Sequence, residues 1–281
     1  MSGDVWGAYA VTLAPGATPT RKEVTFAVPR GQVAAVVGGD GAGKTTLLRT
    51  LVGGLLPRTG RVSAPRQDRC GFMPSGASGV WSDLTVEENI AFVAAAHHIG
   101  RADLARRRQR LLSAAGLDTA HDRLAGALSG GMRQKLAFCL SMLHQPDLLV
   151  LDEPSTGVDP VSRVDLWRLI SQAAADGTAI AMATTYLDEA ERASTCLVLD
   201  QGRSLAAGTP TDVLATTPGT ITAGSGPAGD PELSWRRGRS THSWHPGPPT
   251  AGEQPLAPDM EDCVIAYTLA DQHADTTGSH R

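Results

Sequence analysis

The sequence predicts an α/β domain built on a parallel sheet that is covered by helices on both faces. Three short apolar runs carry this prediction: Val33–Val37, Leu148–Leu151 and Ile180–Ala183. Uninterrupted apolar runs of this length are typical of strands buried on both faces of a parallel sheet. Between the second and third runs, apolar residues at helical spacing over Val161–Ala175 predict a crossover helix.

The composition fits one sizeable domain with an appendage. The chain has 281 residues, of which 41% are hydrophobic and 19% charged, and its net charge of -4 argues against a nucleic-acid partner. The four cysteines lie far apart, so we expect small buried side chains in a reducing compartment. The N-terminus lacks a signal-peptide pattern, and no run reaches the roughly 20 apolar residues of a membrane-spanning helix. We therefore expect a cytosolic chain that reaches the membrane through a partner.

The middle and the end of the chain differ from the predicted sheet. Residues 85–144 are rich in Ala, Leu and Arg at helical spacing, which predicts a helical insert. The basic run Arg106–Arg108 with Arg110 is interpreted as a solvated helix face, with phosphate binding or docking as the alternative. Residues 217–258 are rich in Pro, Gly, Ser and Thr and predict a low-order linker before a terminal helix within 259–281.

A glycine-rich segment follows the first apolar run. It reads Gly38-Gly39-Asp40-Gly41-Ala42-Gly43-Lys44-Thr45 and matches the phosphate-loop pattern G-x-x-x-x-G-K-[ST]. Such glycines let backbone N–H groups curl around phosphate oxygens. We expect Lys44 to reach the β- and γ-phosphates of a nucleotide and Thr45 to hold Mg²⁺, with Thr46 in the same turn. A helix is predicted from Gly43 to about Leu51.

The second apolar run ends in two carboxylates, Asp152 and Glu153. Ligands of open α/β sheets bind at the carboxyl ends of the strands. Asp152 is then expected in the Mg²⁺ shell, and Glu153 is expected to polarise an attacking water. An acidic turn after a strand is common in proteins, so this motif is specific only together with the phosphate loop.

A second glycine pair starts a predicted helix within Leu128–Gln134, which reads Leu-Ser-Gly-Gly-Met-Arg-Gln. Ser129, Gly130 and Gly131 at a helix start form an anion-binding nest, and Gln134 follows one turn later. A simple helix cap is the alternative interpretation, but a cap does not need two glycines.

These segments together resemble the ATP-binding cassette (ABC) family. They resemble its phosphate loop, its Leu-Ser-Gly-Gly signature, its Asp-Glu pair and, over Ser155–Asp159, its dimer-contact loop; Leu84–Asn89 resembles the segment after its glutamine loop. The resemblance covers residues 11–214 and implies a P-loop NTPase fold with a helical subdomain. It also implies that two cassettes pack head to tail, each ATP lying between the phosphate loop of one and the signature serine of the other.

Three positions depart from the family pattern. Ser75 stands where the family has a glutamine, and its side chain is too short for the same contact to Mg²⁺ and the attacking water. Thr185 stands where the family has a switch histidine at the γ-phosphate; losing one such donor costs on the order of 3 kcal/mol. The residue expected to stack on adenine falls near Pro15, with Tyr9 or Trp6 as alternatives.

The departures affect the half-site around the phosphate loop, whereas the signature is intact. This asymmetry favours a heterodimer, and a homodimer stays open. Residues 183–192 resemble the first cassette of tandem-cassette exporter ATPases, which also lacks the histidine. We therefore expect residues 1–216 to form a nucleotide-binding domain, with its core at about 1–75 and 146–216 and its helical subdomain at about 76–145. It would power a membrane permease from the cytoplasmic side; the alternative is a catalytically impaired regulatory cassette.

Overall fold

The computed structural model describes residues 5–13, 23–224, 230–249 and 254–278. The strands are, in chain order, β1 (Val5–Val11), β2 (Val24–Pro29), β3 (Val33–Val37), β4 (Arg61–Ser63), β5 (Cys70–Met73), β6 (Leu148–Asp152), β7 (Ala179–Ala183), β8 (Thr195–Asp200), β9 (Arg203–Gly208), β10 (Thr220–Gly224), β11 (Ser234–Arg237), β12 (Ser240–His245) and β13 (Gln254–Pro255). The α-helices are α1 (Lys44–Leu51), α2 (Val86–Ala96), α3 (Arg101–Ala115), α4 (Gly130–Met142), α5 (Pro160–Ala175), α6 (Leu187–Glu191), α7 (Pro210–Ala215) and α8 (Met260–Gly278).

The central sheet contains the three strands that the apolar runs predict. Its described strands have the order β5-β6-β7-β3-β8-β9. All neighbours are parallel except β8 and β9, which form an antiparallel hairpin at one edge. The predicted α/β class is therefore confirmed, with an antiparallel edge strand that the sequence did not indicate.

Both faces of the central sheet are covered, as the uninterrupted apolar runs require. Along β3, Ala34 and Val36 pack with α1 and with the antiparallel sheet β2-β1-β4. The alternate residues Val33, Ala35 and Val37 face the opposite core, which contains residues of α4, α5 and α8. Because successive side chains of a strand point to opposite faces, one short run contributes to two cores.

A helical insert of α2, α3 and α4 lies between β5 and β6, within the stretch for which helices are predicted. Thr85 and Glu88 form a reciprocal capping box at the start of α2. The fully buried Asn89 donates to the carbonyl oxygen of Trp81 at 3.0 Å and accepts from its N–H at 2.9 Å. These bonds fix the segment that precedes α2, through which the chain passes from β5 into the insert.

The basic run on α3 is only partly a solvated face. Arg108 pairs with Glu87 of α2, and Arg107 donates to the carbonyl oxygen of Leu143 at 3.2 Å. Arg106 is exposed and pairs within its own helix. Two of these arginines therefore hold the helical insert together, a role that the interpretation of a solvated face missed.

The prediction of a low-order linker over residues 217–258 is wrong for most of the described residues in that range. They form an antiparallel sheet in the order β11-β12-β10-β13, which packs against α8 around Ile221, Trp244 and Ala266. The reason is that Thr, Trp and Ile suit half-buried strands, while α8 supplies the apolar surface that this segment lacks on its own. We call β10–β13 with α8 the C-terminal module.

Candidate functional site

The glycine-rich loop turns from β3 into α1 at the carboxyl edge of the central sheet. A side chain at Gly38 would place its Cβ 2.0 Å from the carbonyl oxygen of Leu199. Gly43, which immediately precedes α1, has φ of 102°, a left-handed conformation that favours glycine. The turn therefore depends on glycines at both ends of the loop, and it leaves the backbone N–H groups at the start of α1 free to meet an anion.

Lys44, the first residue of α1, is buried, with 6% of its surface exposed. Its ammonium donates to the carbonyl oxygens of Gly38 at 2.8 Å and Gly39 at 3.1 Å. It also lies 3.9 Å from Oε1 of Glu153. A buried cation needs such partners, and these hold the positive charge beside the loop that is predicted to bind phosphate.

The two carboxylates at the end of β6 face the same loop. The Thr45 hydroxyl donates to Oδ1 of Asp152 at 3.0 Å. Burial raises the pKa of Asp152, and the hydrogen bond from Thr45 opposes that rise. Asp40 to Thr46 and Glu153 line a cavity of about 250 Å³. Of the residues predicted for the phosphate loop and the acidic pair, all line this one open cavity except Gly38, Gly39 and the buried Asp152.

Glu153 has a strained backbone, with φ of 50°. Its N–H donates to the carbonyl oxygen of Ala183 on β7 at 2.9 Å, and its Oε2 accepts from Thr156 at 3.2 Å. Left-handed conformations of residues other than glycine cost free energy and cluster at functional sites. The carboxylate of this strained residue lies 3.9 Å from the ammonium of Lys44.

Ser75 and Thr185 follow the two strands that flank β6. In the parallel register Met73 pairs with Leu151, and Ala183 pairs with Asp152. Both residues therefore lie just beyond the carboxyl edge that carries Glu153. Both side chains are exposed, and neither residue lines the cavity of the phosphate loop.

Sequence reasoning missed Glu189, a buried carboxylate on α6. It accepts from the Ser155 hydroxyl at 2.5 Å and from the Thr184 hydroxyl at 2.6 Å. One side chain thus joins the loop after Glu153 to the residue before Thr185. The only sequence signal was the acidic character of the helix after Thr185, which does not show that one of its carboxylates is buried.

The signature segment, Leu128–Gln134, begins α4. Ser129 is the N-cap, and its hydroxyl accepts from the N–H of Met132 at 3.2 Å. A Cβ on Gly131 would lie 2.4 Å from the Ser162 hydroxyl oxygen, so α5 packs directly on this glycine. Gln134 is 4% exposed, and its Oε1 has no hydrogen-bond partner in the described part of the chain.

Two of the three candidates for stacking on adenine lie among the described residues. Pro15 lies outside the described residues. Tyr9 lies on β1, where the Arg61 guanidinium sits over its ring at 4.5 Å. Trp6 packs against the core beside α1. The adenine contact stays a prediction.

A comparison with known proteins shows the family of this chain. The family model described as "ABC transporter" matches residues 21–156, which include the phosphate loop, the signature and the acidic pair. The chain belongs to the ATP-binding cassette family. The matched segment includes every residue that lines the cavity of the phosphate loop.

Several curated relatives are ATP-binding proteins of transporters. The cassette is 39% identical over 199 residues to the probable multidrug ABC transporter ATP-binding protein YbhF of Escherichia coli, covering 67% of this chain and 34% of YbhF. It is 35% identical to Nod factor export ATP-binding protein I of Ralstonia nicotianae, covering 68% of this chain and 63% of the relative. It is 34% identical to daunorubicin resistance ATP-binding protein DrrA3 of Streptomyces coeruleorubidus, covering 68% and 64%. The chain thus spans about a third of the first relative and under two thirds of the others.

Solved structures agree on the fold. The structure of an ATP-binding subunit of an ABC transporter matches with a TM-score of 0.68 and 28% identity, covering 75% of this chain and 92% of the other. CbiO1 of Clostridium perfringens, part of the ABC transporter complex cbiONQ, has the same TM-score of 0.68 at 23% identity and supports the fold alone. Among the described residues, none of the helices combines the length and the apolar character needed to cross a bilayer.

Proposed function

We propose that this cassette binds ATP with Mg²⁺ and hydrolyses it, slowly or only with a partner, to power a membrane exporter. One observation carries the proposal: Lys44 and Glu153 approach to 3.9 Å beside an open cavity that the phosphate loop lines. Lys44, which would bind the phosphates, and Glu153, which would polarise the attacking water, are then together at one site.

The oxygen ligands at this site suit Mg²⁺. Thr45 supplies a hydroxyl and Asp152 a carboxylate, which already hydrogen-bond at 3.0 Å. Hard oxygen donors of this kind are what Mg²⁺ prefers, with the remaining positions taken by phosphate and water. When bound, the ion would neutralise charge on the phosphates, while Ser75 is the candidate for a further contact from the end of β5.

The proposed unit is a dimer of cassettes. The signature segment does not contribute to the lining of the phosphate-loop cavity, which Asp40–Thr46 and Glu153 form by themselves. Ser129, Gly130 and Gly131 instead present the start of α4, where the first N–H groups of a helix lack acceptors within it. We infer that this segment completes the site of a second cassette, and that a better-equipped cassette compensates for Ser75 and Thr185.

The partner in the membrane would be a permease. The stretch from Ser75 to Trp81 leads from the carboxyl edge of the sheet into the helical insert. There Trp81 packs against Phe92, with ring centroids 4.3 Å apart and the ring planes tilted by 55°, and both side chains are partly exposed, at 42% and 51%. We propose that this aromatic pair contacts the permease from the cytoplasmic side. Export is favoured by the names of the relatives, two of which are export or multidrug proteins.

The domain division is part of the same proposal. We propose that residues 1–216 are the nucleotide-binding domain, with helical subdomain at about 76–145, and that the C-terminal module is an addition to it.

A regulatory cassette without turnover is the second candidate, because Thr185 replaces a catalytic donor. Retention of Glu153 beside Lys44 argues against it.

The test is steady-state ATP hydrolysis by the purified chain, with Glu153→Gln beside it and nucleotide binding measured on both. Turnover by the wild type that Glu153→Gln abolishes supports a catalytic cassette. Binding without turnover in both proteins supports an impaired half-site and directs the search to a partner cassette. Absence of nucleotide binding by the wild-type chain would refute the proposed function.

A further inference from the structure

The phosphate loop rests on the β8–β9 hairpin. The N–H of Gly202, at the hairpin turn, donates to the carbonyl oxygen of Ala42 in the loop at 2.7 Å. A Cβ on Gly43 would lie 3.5 Å from Gly202, and one on Gly38 would collide with Leu199 of β8. The hairpin therefore contacts the loop at its beginning, in its middle and at its end, so a shift of the hairpin would move the N–H groups that face the phosphates.

The next residue of the hairpin, Arg203, is held by the C-terminal module. Its guanidinium pairs with Asp271 of α8 and lies 3.0 Å from Oδ2 of Asp275, one turn further along that helix. Only 15% of the Arg203 side chain and 11% of that of Asp271 are exposed. Pairs this well shielded are weakly screened by solvent and salt, so this contact ties α8 firmly to the hairpin.

The other end of α8 is anchored in the C-terminal sheet. Asp262 is almost fully buried and accepts hydrogen bonds from His242 at 2.8 Å and from the Trp235 indole at 3.2 Å. Arg237 of β11 lies 3.5 Å from the same carboxylate. Because α8 is fixed at one end by the sheet and at the other by Arg203, it can transmit a displacement of the sheet to the hairpin.

We propose that Arg203 is a positioning residue for the phosphate loop and that α8 holds it there, so that the C-terminal module sets the nucleotide affinity of this cassette. Arg203 does not touch the nucleotide in this scheme. It fixes Gly202, which fixes Ala42 and the N–H groups beside it. The inference rests on the proposed function only in taking the loop as the ATP site.

Binding of Mg-ADP and Mg-ATP to the full chain, measured by calorimetry, tests the scheme. Releasing the hairpin by Arg203→Ala or Asp271→Asn should weaken both nucleotides about threefold to tenfold, a coupling of ordinary size between neighbouring elements. Arg203→Lys keeps the charge and should recover part of the loss. The matched control is Glu261→Gln, which removes a carboxylate from the same helix that pairs with Arg237 instead.

Amide hydrogen exchange at Gly202, without nucleotide, supplies a second measurement that a general loss of stability would not reproduce. Faster exchange at Gly202 in Arg203→Ala, with unchanged exchange in the β3 and β6 amides, supports the scheme. Unchanged exchange at Gly202 overturns it, as does unchanged affinity in Arg203→Ala and Asp271→Asn. If the wild-type chain binds no nucleotide, the proposed function fails, while the exchange at Gly202 still decides whether Arg203 holds the hairpin.

Discussion

The phosphate loop and the signature segment both start a helix with glycines, yet they are held in different ways. The loop is held by partners far along the chain: Glu153 pairs with Lys44, and Gly202 donates to Ala42. The signature is held by the Ser129 cap within its own first turn and by the close approach of Gly131 to α5. The loop can therefore be tuned by remote changes, whereas the signature tolerates little change at its own positions.

The largest effect is expected from removing the charge of the loop. Lys44→Ala deletes the buried ammonium that faces the cavity, and we expect nucleotide affinity to fall on the order of a hundredfold or more, since charge-assisted bonds to phosphate are strong. Calorimetry with Mg-ADP measures this. Lys135→Ala is the matched control, because Lys135 lies on α4 and pairs with Asp165. Equal loss in both variants would contradict a specific role of Lys44.

The next effect is a gain of ATP hydrolysis, expected from a substitution in the half-site around the phosphate loop. Thr185→His restores an imidazole at an exposed position just beyond the carboxyl edge of β7. If the missing donor limits turnover, ATP hydrolysis should rise by on the order of a hundredfold, the effect of one preorganised donor. The added activity should vanish when Glu153→Gln is combined with it. If ATP hydrolysis does not rise in Thr185→His, even with Ser75→Gln added, the departures from the family pattern do not limit turnover in this half-site.

A smaller effect is expected in the signature half. Gly131→Ala places a Cβ 2.4 Å from Ser162, and such overpacking costs about 1–3 kcal/mol of unfolding free energy. Gly130→Ala is the matched control, because its Cβ would approach Gly157 no closer than 3.4 Å. Urea unfolding measures both variants, and nucleotide binding by the phosphate loop should persist in each. Equal stability of the two would refute the local rigidity of the signature.

The smallest effect concerns His144, which follows α4. Its ring stacks on His97 with centroids 4.0 Å apart. Burial, assisted by the charge of His97, lowers the pKa of His144 from 6.5 to about 4. Between these two pH values His144 is protonated in the unfolded chain and neutral in the folded chain. The free energy of unfolding should therefore fall as the pH drops from about 6.5 to about 4.

A pH series of thermal melts measures this effect. His144→Gln keeps a side chain that can hydrogen-bond to the carbonyl oxygen of Cys70, the 3.0 Å partner of His144, and it should lose less stability over that range. Identical pH profiles for the variant and the wild type would show that another group dominates.

The local patterns of the sequence were sufficient to predict three inner strands of the central sheet and the glycine-rich loop that follows the first of them. Val33–Val37 and the glycines that follow predict a buried strand and a phosphate loop, because burial on both faces and a tight turn each impose a short-range pattern. The same holds for the capped helix that begins at Ser129. These elements agree with the structure to within a residue or two.

Composition misled where tertiary contacts decided the outcome. In β12, His242 and Trp244 alternate with partly exposed residues, which is a strand pattern within a segment rich in Ser, Pro and Gly. Their burial depends on α8, about twenty residues later. Strand propensity depends on such neighbours, so this sheet was not visible from the segment by itself.

The sequence by itself determined the family and the α/β class and placed the phosphate-loop pattern, because each is encoded by neighbours along the chain. Only the tertiary structure decided that Glu189 joins Ser155 to Thr184, and that Arg203 meets Asp271. These contacts join residues from five to nearly seventy positions apart, and each depends on how separate elements pack. Asp188 and Glu191, on the same short helix as Glu189, are exposed, so residue type alone does not reveal which carboxylate becomes a buried partner.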